Sequence, residues 1–578
     1  MNTSLDARTA TTVATESVAE AYLALLRDRG IDYLYFGCGT DTAPVVEAYS
    51  NLEASGLNFP TPIVAVHENL AIGMAHGHYM ISLRPQAVML HVSVGTANAV
   101  CGVFNAARAQ VPMLFTAGRT PLFEDGPLGS RSNDVHWSQE MFDQAGMVRE
   151  LVKWDYELRG GRNVEQVIDR ALSISMAEPR GPVYLTLPRE VLAHPHPSYQ
   201  TGGAYPRVAP AHPDPLAVRT LAQRLLDADS PVIVTSNAGA DPESVELLAT
   251  LATRFGIGVL ENKPRYVCFP TDHPMHVGFE LSRVFAKADA MLFLETDVPW
   301  IPALTKPRDD AFLAHAGTDP MYVRYPIRSF RSDLTITANA SVLIRALTAE
   351  LAAMGGEAAA SQRRQRLDPL TQGWRTAAAR QAAEDDNDDA PITKLFFSRA
   401  IAAIRPAGGI VVNESPALRP HMSFNEAGTY FQLPPSGGLG WGMPAALGAK
   451  QAAPGRVVIA TLGDGAYIFA NPAACHQASE MHDLPMLTVI YNNEAWAAVQ
   501  RSTTDIYPDS HAKRHIKAHG HAPLSSLKPL PAFEKYAEAS NGYGERVTER
   551  SQLIPALQRA LDVVVNEGRQ ALVNVIGA

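Results

Sequence analysis

Cysteine is scarce: four in 578 residues, at Cys38, Cys101, Cys268 and Cys475. None forms a CxxC pair, so neither a disulfide framework nor a thiolate zinc site is expected, and a reducing compartment is the default. Basic runs are also missing. The formal net charge is −10, which argues against a nucleic-acid partner, because such a surface wants clustered Lys and Arg. No apolar run approaches the roughly 18 residues of a membrane span, so no membrane partner is expected. Residues 1–17 lack the apolar centre of a secretory signal. The chain is therefore read as cytoplasmic. What is present is an ordinary globular composition, 46% hydrophobic and 19% charged, in a chain long enough for about three or four domains.

Short apolar runs alternate with helical patterns. Val18–Arg29 carries apolar residues at helical spacing, and Tyr33–Phe36 reads as a strand. Ile63–Val66, Ala87–Val92 and Met113–Thr116 are further short strands, and Asn98–Ala109 is helix-like. This alternation predicts a parallel sheet covered on both faces. The block closes on the strand Pro182–Pro188 and a Pro-, Gly- and His-rich linker, His194–Pro215. A second block opens with a helix at Leu216–Ala228, has strands at Pro231–Thr235 and Ala290–Leu294, and runs to about Leu351. Gly355–Ala390, rich in Ala, Arg and Gln and closing on EDDNDDA, reads as an exposed connector. A third block starts near Pro391.

The third block carries the strongest chemistry. Val457–Leu462 reads as a strand running into Gly463-Asp464-Gly465; after a helix-like stretch to His482, Pro485–Tyr491 reads as another, running into Asn492-Asn493. Asn493 follows Asp464 by 29 positions, the length of one βαβ crossover. In a parallel sheet both strand ends then share the carboxyl edge, where Asp464 and Asn493 can face one small hard cation. The glycines let backbone approach a diphosphate, and the helix N-terminus that follows favours its charge. Either fragment alone is as readily a plain turn. The pair at this spacing points to a metal–diphosphate site.

GDG, a crossover and NN together resemble the diphosphate motif of the thiamine diphosphate-dependent enzymes of the acetolactate synthase, benzoylformate decarboxylase and pyruvate decarboxylase superfamily. The resemblance spans essentially the whole chain. It implies an α/β fold of three doubly wound parallel-sheet domains: residues 1–195 pyrimidine-binding, 213–352 central, 353–390 linker and 391–578 diphosphate-binding. It implies thiamine diphosphate and Mg²⁺ as cofactors. Asp464, Asn493 and the carbonyl of Ala495 would be the metal ligands, with Gly463, Gly465 and Ala466 completing the diphosphate turn. In the glycine-rich Ser436–Pro444, Gly438 and Leu439 take the place of the wedge that bends the cofactor into a V. Glu68, in His67-Glu68-Asn69 after the Ile63–Val66 strand, matches the glutamate that hydrogen-bonds N1′ of the aminopyrimidine and promotes loss of the C2 proton. The cofactor would lie between the first domain of one subunit and the third of its partner, so a homodimer is the minimum and a homotetramer is expected.

On the substrate side, His91 ends the strand Ala87–Leu90, 23 positions after Glu68. It stands where benzoylformate decarboxylase has a proton-relaying histidine; its plain alternative is a satisfied core histidine. Gly39-Thr40, Leu151–Trp154, Gly181–Leu185 and Asn413–Ser415 are similar too, which puts Thr40 at a substrate-contacting serine. The family's second histidine, from the central domain, is missing, because the stretch reads Asp297-Val298-Pro299-Trp300-Ile301-Pro302; His421 is the candidate substitute. Trp496 and Val499 line an apolar substrate pocket or fill helix core. The implied activity is non-oxidative decarboxylation of a 2-oxo acid, or ligation to an aldehyde, through a C2-carbanion and an enamine. Cleavage of a 2-hydroxyacyl-CoA is the alternative; a flavin-dependent oxidase and a fold that has lost its chemistry are further ones. FAD or another nucleotide in the central domain stays open. His511, His515 and His519 fall at helical spacing in a polar, basic stretch and read as a lid rather than a metal site. The acidic run 384–389 lacks EF-hand order and reads as solvated linker.

Overall fold

Continuous runs of Val, Ile, Leu and aromatic residues, buried on both faces, build parallel sheets. The computed structural model describes residues 11–387 and 389–577. Most of the amino-terminal segment 1–17, where a secretory signal would lie, and Asp388 of the acidic run are outside the described residues. Among the described residues there are three parallel sheets and one antiparallel ribbon, Thr12–Ala14 with Ser198–Gln200.

The first sheet runs Thr61–Val64, Tyr33–Phe36, Ala87–Leu90, Leu114–Arg119, Val183–Pro188 and Asp155–Glu157. The third runs Tyr430–Gln432, Ile410–Glu414, Val458–Gly463, Leu487–Asn492, Ala571–Ile576 and Tyr543–Val547. Counted along the chain, both have the order 2-1-3-4-6-5. In each, the direction of winding reverses between the first and third strands. The loops after those two strands diverge and leave a crevice at the carboxyl edge. The central sheet has five strands, in the order Gly258–Glu261, Pro231–Thr235, Ala290–Leu294, Phe312–Gly317 and Leu334–Thr337.

The first and third sheets share one buried cluster, which holds Tyr35, Val88 and Phe115 of the former with Val412, Ala460 and Ile490 of the latter. Helices Glu68–Ser82 and Gly442–Ala452 join them. Both are rich in Ala and Gly, so their backbones meet directly. A Cβ added at Gly77 would lie 1.9 Å from the Ala445 carbonyl oxygen. Gly77→Val is therefore expected to lower the melting temperature by several degrees, since overpacking costs about 1–3 kcal/mol or more. Calorimetry beside Gly160→Ala, where the added methyl meets open space, checks this. An unchanged melting temperature for the valine variant refutes the close contact.

Several segments differ from their sequence-based description. The expected linker His194–Pro215 contains the strand Ser198–Gln200, which pairs with Thr12–Ala14, and the strand expected at Ile63–Val66 is Thr61–Val64, so Ala65 and Val66 lie beyond it. The stretch expected to be an exposed connector is mostly the helix Ala360–Glu384. Its Ala, Arg and Gln are strong helix formers, Leu367 and Leu370 enter the central core, and Arg363 donates to the Phe255 carbonyl at 2.8 Å. The helix-like stretch after Asp464 is two helices, Asp464–Phe469 and Pro472–Met481, broken at Asn471 with φ 54°. The helix expected from Asn98 begins at Val92, so Val92 leaves the strand. Among the described residues no helix is long and apolar enough to cross a membrane.

Candidate active site

At the third sheet, strand Val458–Gly463 delivers Asp464 to the switch point, where it opens a short helix. Asp464 is 3% exposed. Its Oδ1 accepts the Gly465 N–H at 2.8 Å, and its Oδ2 is buried without a partner. Burial raises its pKa, and the backbone N–H groups of Gly465, Glu494, Ala495 and Asn493 oppose that rise. The turn after Leu487–Asn492 thus folds its backbone towards Asp464. Asn492 commits its amide to Asn574 at 3.2 Å, which leaves Asn493 at the edge. The Ala495 carbonyl accepts the Ala497 N–H at 2.9 Å and keeps a second lone pair. Trp496 covers the same turn: a Cβ on Gly465 would lie 2.1 Å from its ring, and Phe469 meets it edge-on at 5.7 Å. Ala466 is buried and Val499 exposed.

Across that switch point, Glu414 ends the sheet's first strand. It accepts the Gly440 and Gly442 N–H groups at 2.7 and 2.6 Å. Burial pushes its carboxyl up to about 7, against the pull of those N–H groups. The glycine-rich turn is held from the other side by Asn105 of the first domain, which donates to the Gly438 carbonyl at 2.8 Å and accepts the Gly438 N–H at 3.1 Å. Leu439, between these anchors, is partly buried against the shared core. Neither Glu414 nor Asn105 stood out as an anchor in the sequence.

In the first domain the same topology brings another group together. The loop after Tyr33–Phe36 carries Thr40 and Asp41, and the strand Ala87–Leu90 ends at His91. Asp41, 2% exposed, forms a short hydrogen bond through Oδ1 to His91 Nδ1. The Gln139 carboxamide meets His91 Nε2 at 3.2 Å. The hydrogen bond from Asp41 is the leading cause of a raised His91 pKa; burial opposes it, and the charges of Asp41 and Glu68 add to it. Glu68 opens the helix Glu68–Ser82, with His67 as its cap accepting the Asn69 N–H at 3.2 Å. Its Oε2 accepts from Asn98 at 3.1 Å; exposed Val66 lies two positions before it, and exposed Val94 adjoins Gly95, where an added Cβ would lie 3.6 Å from Glu68 Cγ. Thr40 is exposed, and its carbonyl accepts from Arg189 at 3.2 Å.

Asp41, Gln139 and His136 were missed. His136 is 3% exposed, its Nδ1 accepts the Ser132 N–H at 3.1 Å, and its Nε2 is buried without a partner. The signal for Asp41 was its place after the first strand, opposite the histidine after the third. His421 is not brought to this group. Burial lowers its pKa, and the charges that bear on it are those of Arg399 and Asp385. His511–His519 is a helix without a buried residue, and its His515 and His519 rings lie 4.3 Å apart. A separate cavity of about 330 Å³ opens at the carboxyl edge of the central sheet, lined by Asn237, Gly239, Asp241, Glu295, Arg180 and Arg265 among others. Neither Asp464 nor His91 lines it. Arg265 is paired with Asp297, and Arg180 donates to Tyr79.

Two parallel sheets of one strand order, each with polar groups at its switch point, define a doubly wound α/β cofactor-binding protein. The model of the thiamine pyrophosphate enzyme N-terminal TPP binding domain matches residues 16–147, and that of the C-terminal TPP binding domain matches residues 415–575. The chain belongs to the thiamine pyrophosphate enzymes, and within them to the decarboxylase and acetolactate synthase group. It is similar to benzoylformate decarboxylase of Pseudomonas aeruginosa, 27% identical over 84% of this chain and 87% of that one. It also resembles the acetolactate synthase large subunit of Haemophilus influenzae, at 23% over 95% and 92% of the two chains. The solved structure of benzoylformate decarboxylase from Polynucleobacter necessarius superposes with a TM-score of 0.77 at 19% identity, covering 97% of this chain and 99% of that one.

Proposed function

We propose that this chain is a thiamine diphosphate- and Mg²⁺-dependent 2-oxo acid decarboxylase that releases an aldehyde by protonation through His91. The carrying observation is the His91–Asp41 pair at the switch point of the first sheet, close enough to Glu68 for that carboxylate's charge to favour the imidazolium. The residues present fit both cofactors. The unpartnered, buried Asp464 Oδ2 is the group a hard cation would satisfy. Asp464, Asn493 and the Ala495 carbonyl would hold Mg²⁺, and Gly463, Gly465 and Ala466 would lie along the diphosphate. Gly438 and Leu439 would support the bend, and Glu68 would hold a proton at the aminopyrimidine. Thiamine diphosphate supplies the electron sink that lets CO₂ leave.

The chain's own groups do the rest. Trp496 shields the metal turn, and His91, held at Nδ1 by Asp41, would give up a proton from Nε2 by parting from Gln139. Exposed Ile468 and Phe469 beside the diphosphate turn, and Val66 and Val94 near Glu68, suit apolar cover by a second copy of the chain, which would complete the site as a homodimer or a homotetramer of such pairs. A screen of 2-oxo acids with cofactor and Mg²⁺, with and without aldehyde acceptors and CoA thioesters, tests this. CO₂ and one equivalent of aldehyde are expected. A hydroxyketone as the main product would replace protonation by ligation. Turnover of 2-hydroxyacyl-CoA alone would overturn the decarboxylase assignment.

A further inference from the structure

We propose that Asp41 and Gln139 are positioning residues that hold the His91 imidazole by both ring nitrogens, so that it stays aligned whether or not Nε2 carries a proton. This rests on the relay role given to His91 above.

The observations are geometric. Asp41 is buried and accepts from His91 Nδ1. A carboxylate on one ring nitrogen fixes the tautomer and leaves the other nitrogen to exchange protons. The approach is built into the backbone. A Cβ at Gly39 would lie 2.1 Å from His91 Nδ1, and one at Gly118 would lie 1.6 Å from Asp41 Oδ2. Any other residue at either position would push the pair apart.

Gln139 sits on the opposite nitrogen at 3.2 Å, and its backbone carbonyl accepts the Ser93 hydroxyl at 2.8 Å. Its carboxamide NH₂ can donate to neutral Nε2. Turned about its last bond, the same group offers Oε1 to Nε2–H. Oε1 is buried without a partner, so no other contact holds the amide in one orientation. A carboxamide is the side-chain group that serves both states in one place.

The charged neighbours are compatible with this arrangement. Asp41 and Glu68 favour the imidazolium. His136 feels Asp41 and His91, but burial and the charges of Arg189 and Arg131 lower its pKa, so it draws the shared proton less strongly than His91, whose pKa is raised.

The test is a titration of the His91 imidazole by NMR in resting protein labelled at histidine, with His91→Gln assigning the signal. Asp41→Asn should lower the His91 pKa by about one unit or more, and Gln139→Glu should raise it by about one unit, since an opposite charge in contact shifts a titration by roughly 1–3 units. The acidic limb of the turnover profile should move with each, and kcat should fall roughly 10²-fold or more in Asp41→Asn. A His91 titration that is unmoved, or moved in the same direction by both variants, overturns the proposal. If Asp41→Asn does not fold, Gln139→Glu decides alone. The titration needs no substrate. Opposite shifts in a wild-type protein that consumes no 2-oxo acid would keep the clamp and sink only the decarboxylase reading beneath it.

Discussion

Glu68→Gln will lower thiamine diphosphate-dependent turnover by about 10²- to 10⁴-fold, the usual contribution of a positioned proton-exchanging group, while the cofactor still binds. The change is isosteric. The helix that begins at position 68 keeps its cap, because His67 supplies it. Asn98, which donates to Glu68 at 3.1 Å, can donate equally to the carbonyl of glutamine. The fold is therefore preserved and the loss is chemical: a carboxamide cannot share a proton with an aminopyrimidine nitrogen as a carboxylate can. Two measurements separate these. Tryptophan fluorescence quenching should give cofactor affinity near that of wild type. Exchange of the C2 hydrogen of bound cofactor for deuterium, followed by NMR after acid quench, should slow with kcat. Unchanged exchange would remove Glu68 from the proposed chemistry. Lost binding would make it a structural residue.

The parts that were legible in the sequence are those whose signal is local. A strand ending in Gly463-Asp464-Gly465 and another ending in Asn492-Asn493 can be recognised because one crossover fixes their spacing, and adjacent parallel strands then bring the ends together, with Gly463 opposite Tyr491 in the ladder. His91 and Glu68 were legible for the same reason: each follows a short apolar strand. Asp41 was not. It meets His91 only because the first sheet reverses its winding between their strands, and strand order is not written in hydrophobic periodicity. Gln139 and His136 lie in a segment without periodicity, after Arg119, whose path is set by tertiary contacts such as Arg131 with Glu140. Asn105 is hidden for another reason: it sits on a helix, reads as a plain polar position, and gains meaning only by clamping Gly438 more than 300 residues away. For the helix Ala360–Glu384, composition alone suggests an exposed connector. Its Leu367 and Leu370 are spaced by a helical turn, and that pair of buried leucines outweighed the surrounding charge.

Asp464→Asn should abolish Mg²⁺-dependent binding of thiamine diphosphate at concentrations that saturate the wild type, with the apparent affinity falling by about 100-fold or more. A divalent cation in a buried site is held mainly by the charge of its carboxylate ligand, and an amide oxygen keeps the geometry without that charge. Without the metal, the charge works the other way. Asp464 is almost fully buried, its Oδ2 has no partner, and burial raises its pKa. A buried carboxylate without a counter-charge costs stability until something neutralises it, even though the Gly465 N–H bonds its other oxygen. The cofactor-free variant should therefore melt no lower than the cofactor-free wild type. Addition of Mg²⁺ and cofactor should separate them: at 100 times its dissociation constant a ligand stabilises the folded state by about 2.7 kcal/mol, so the wild type should gain several degrees and the variant almost none. Thermal melts of both proteins, with and without Mg²⁺ and thiamine diphosphate, read the two effects in one experiment. An equal rise in both would show that Asp464 does not hold the metal. A cofactor-free variant that melts well below the cofactor-free wild type would show that the unpaired oxygen is structural, and the argument from its burial would fail.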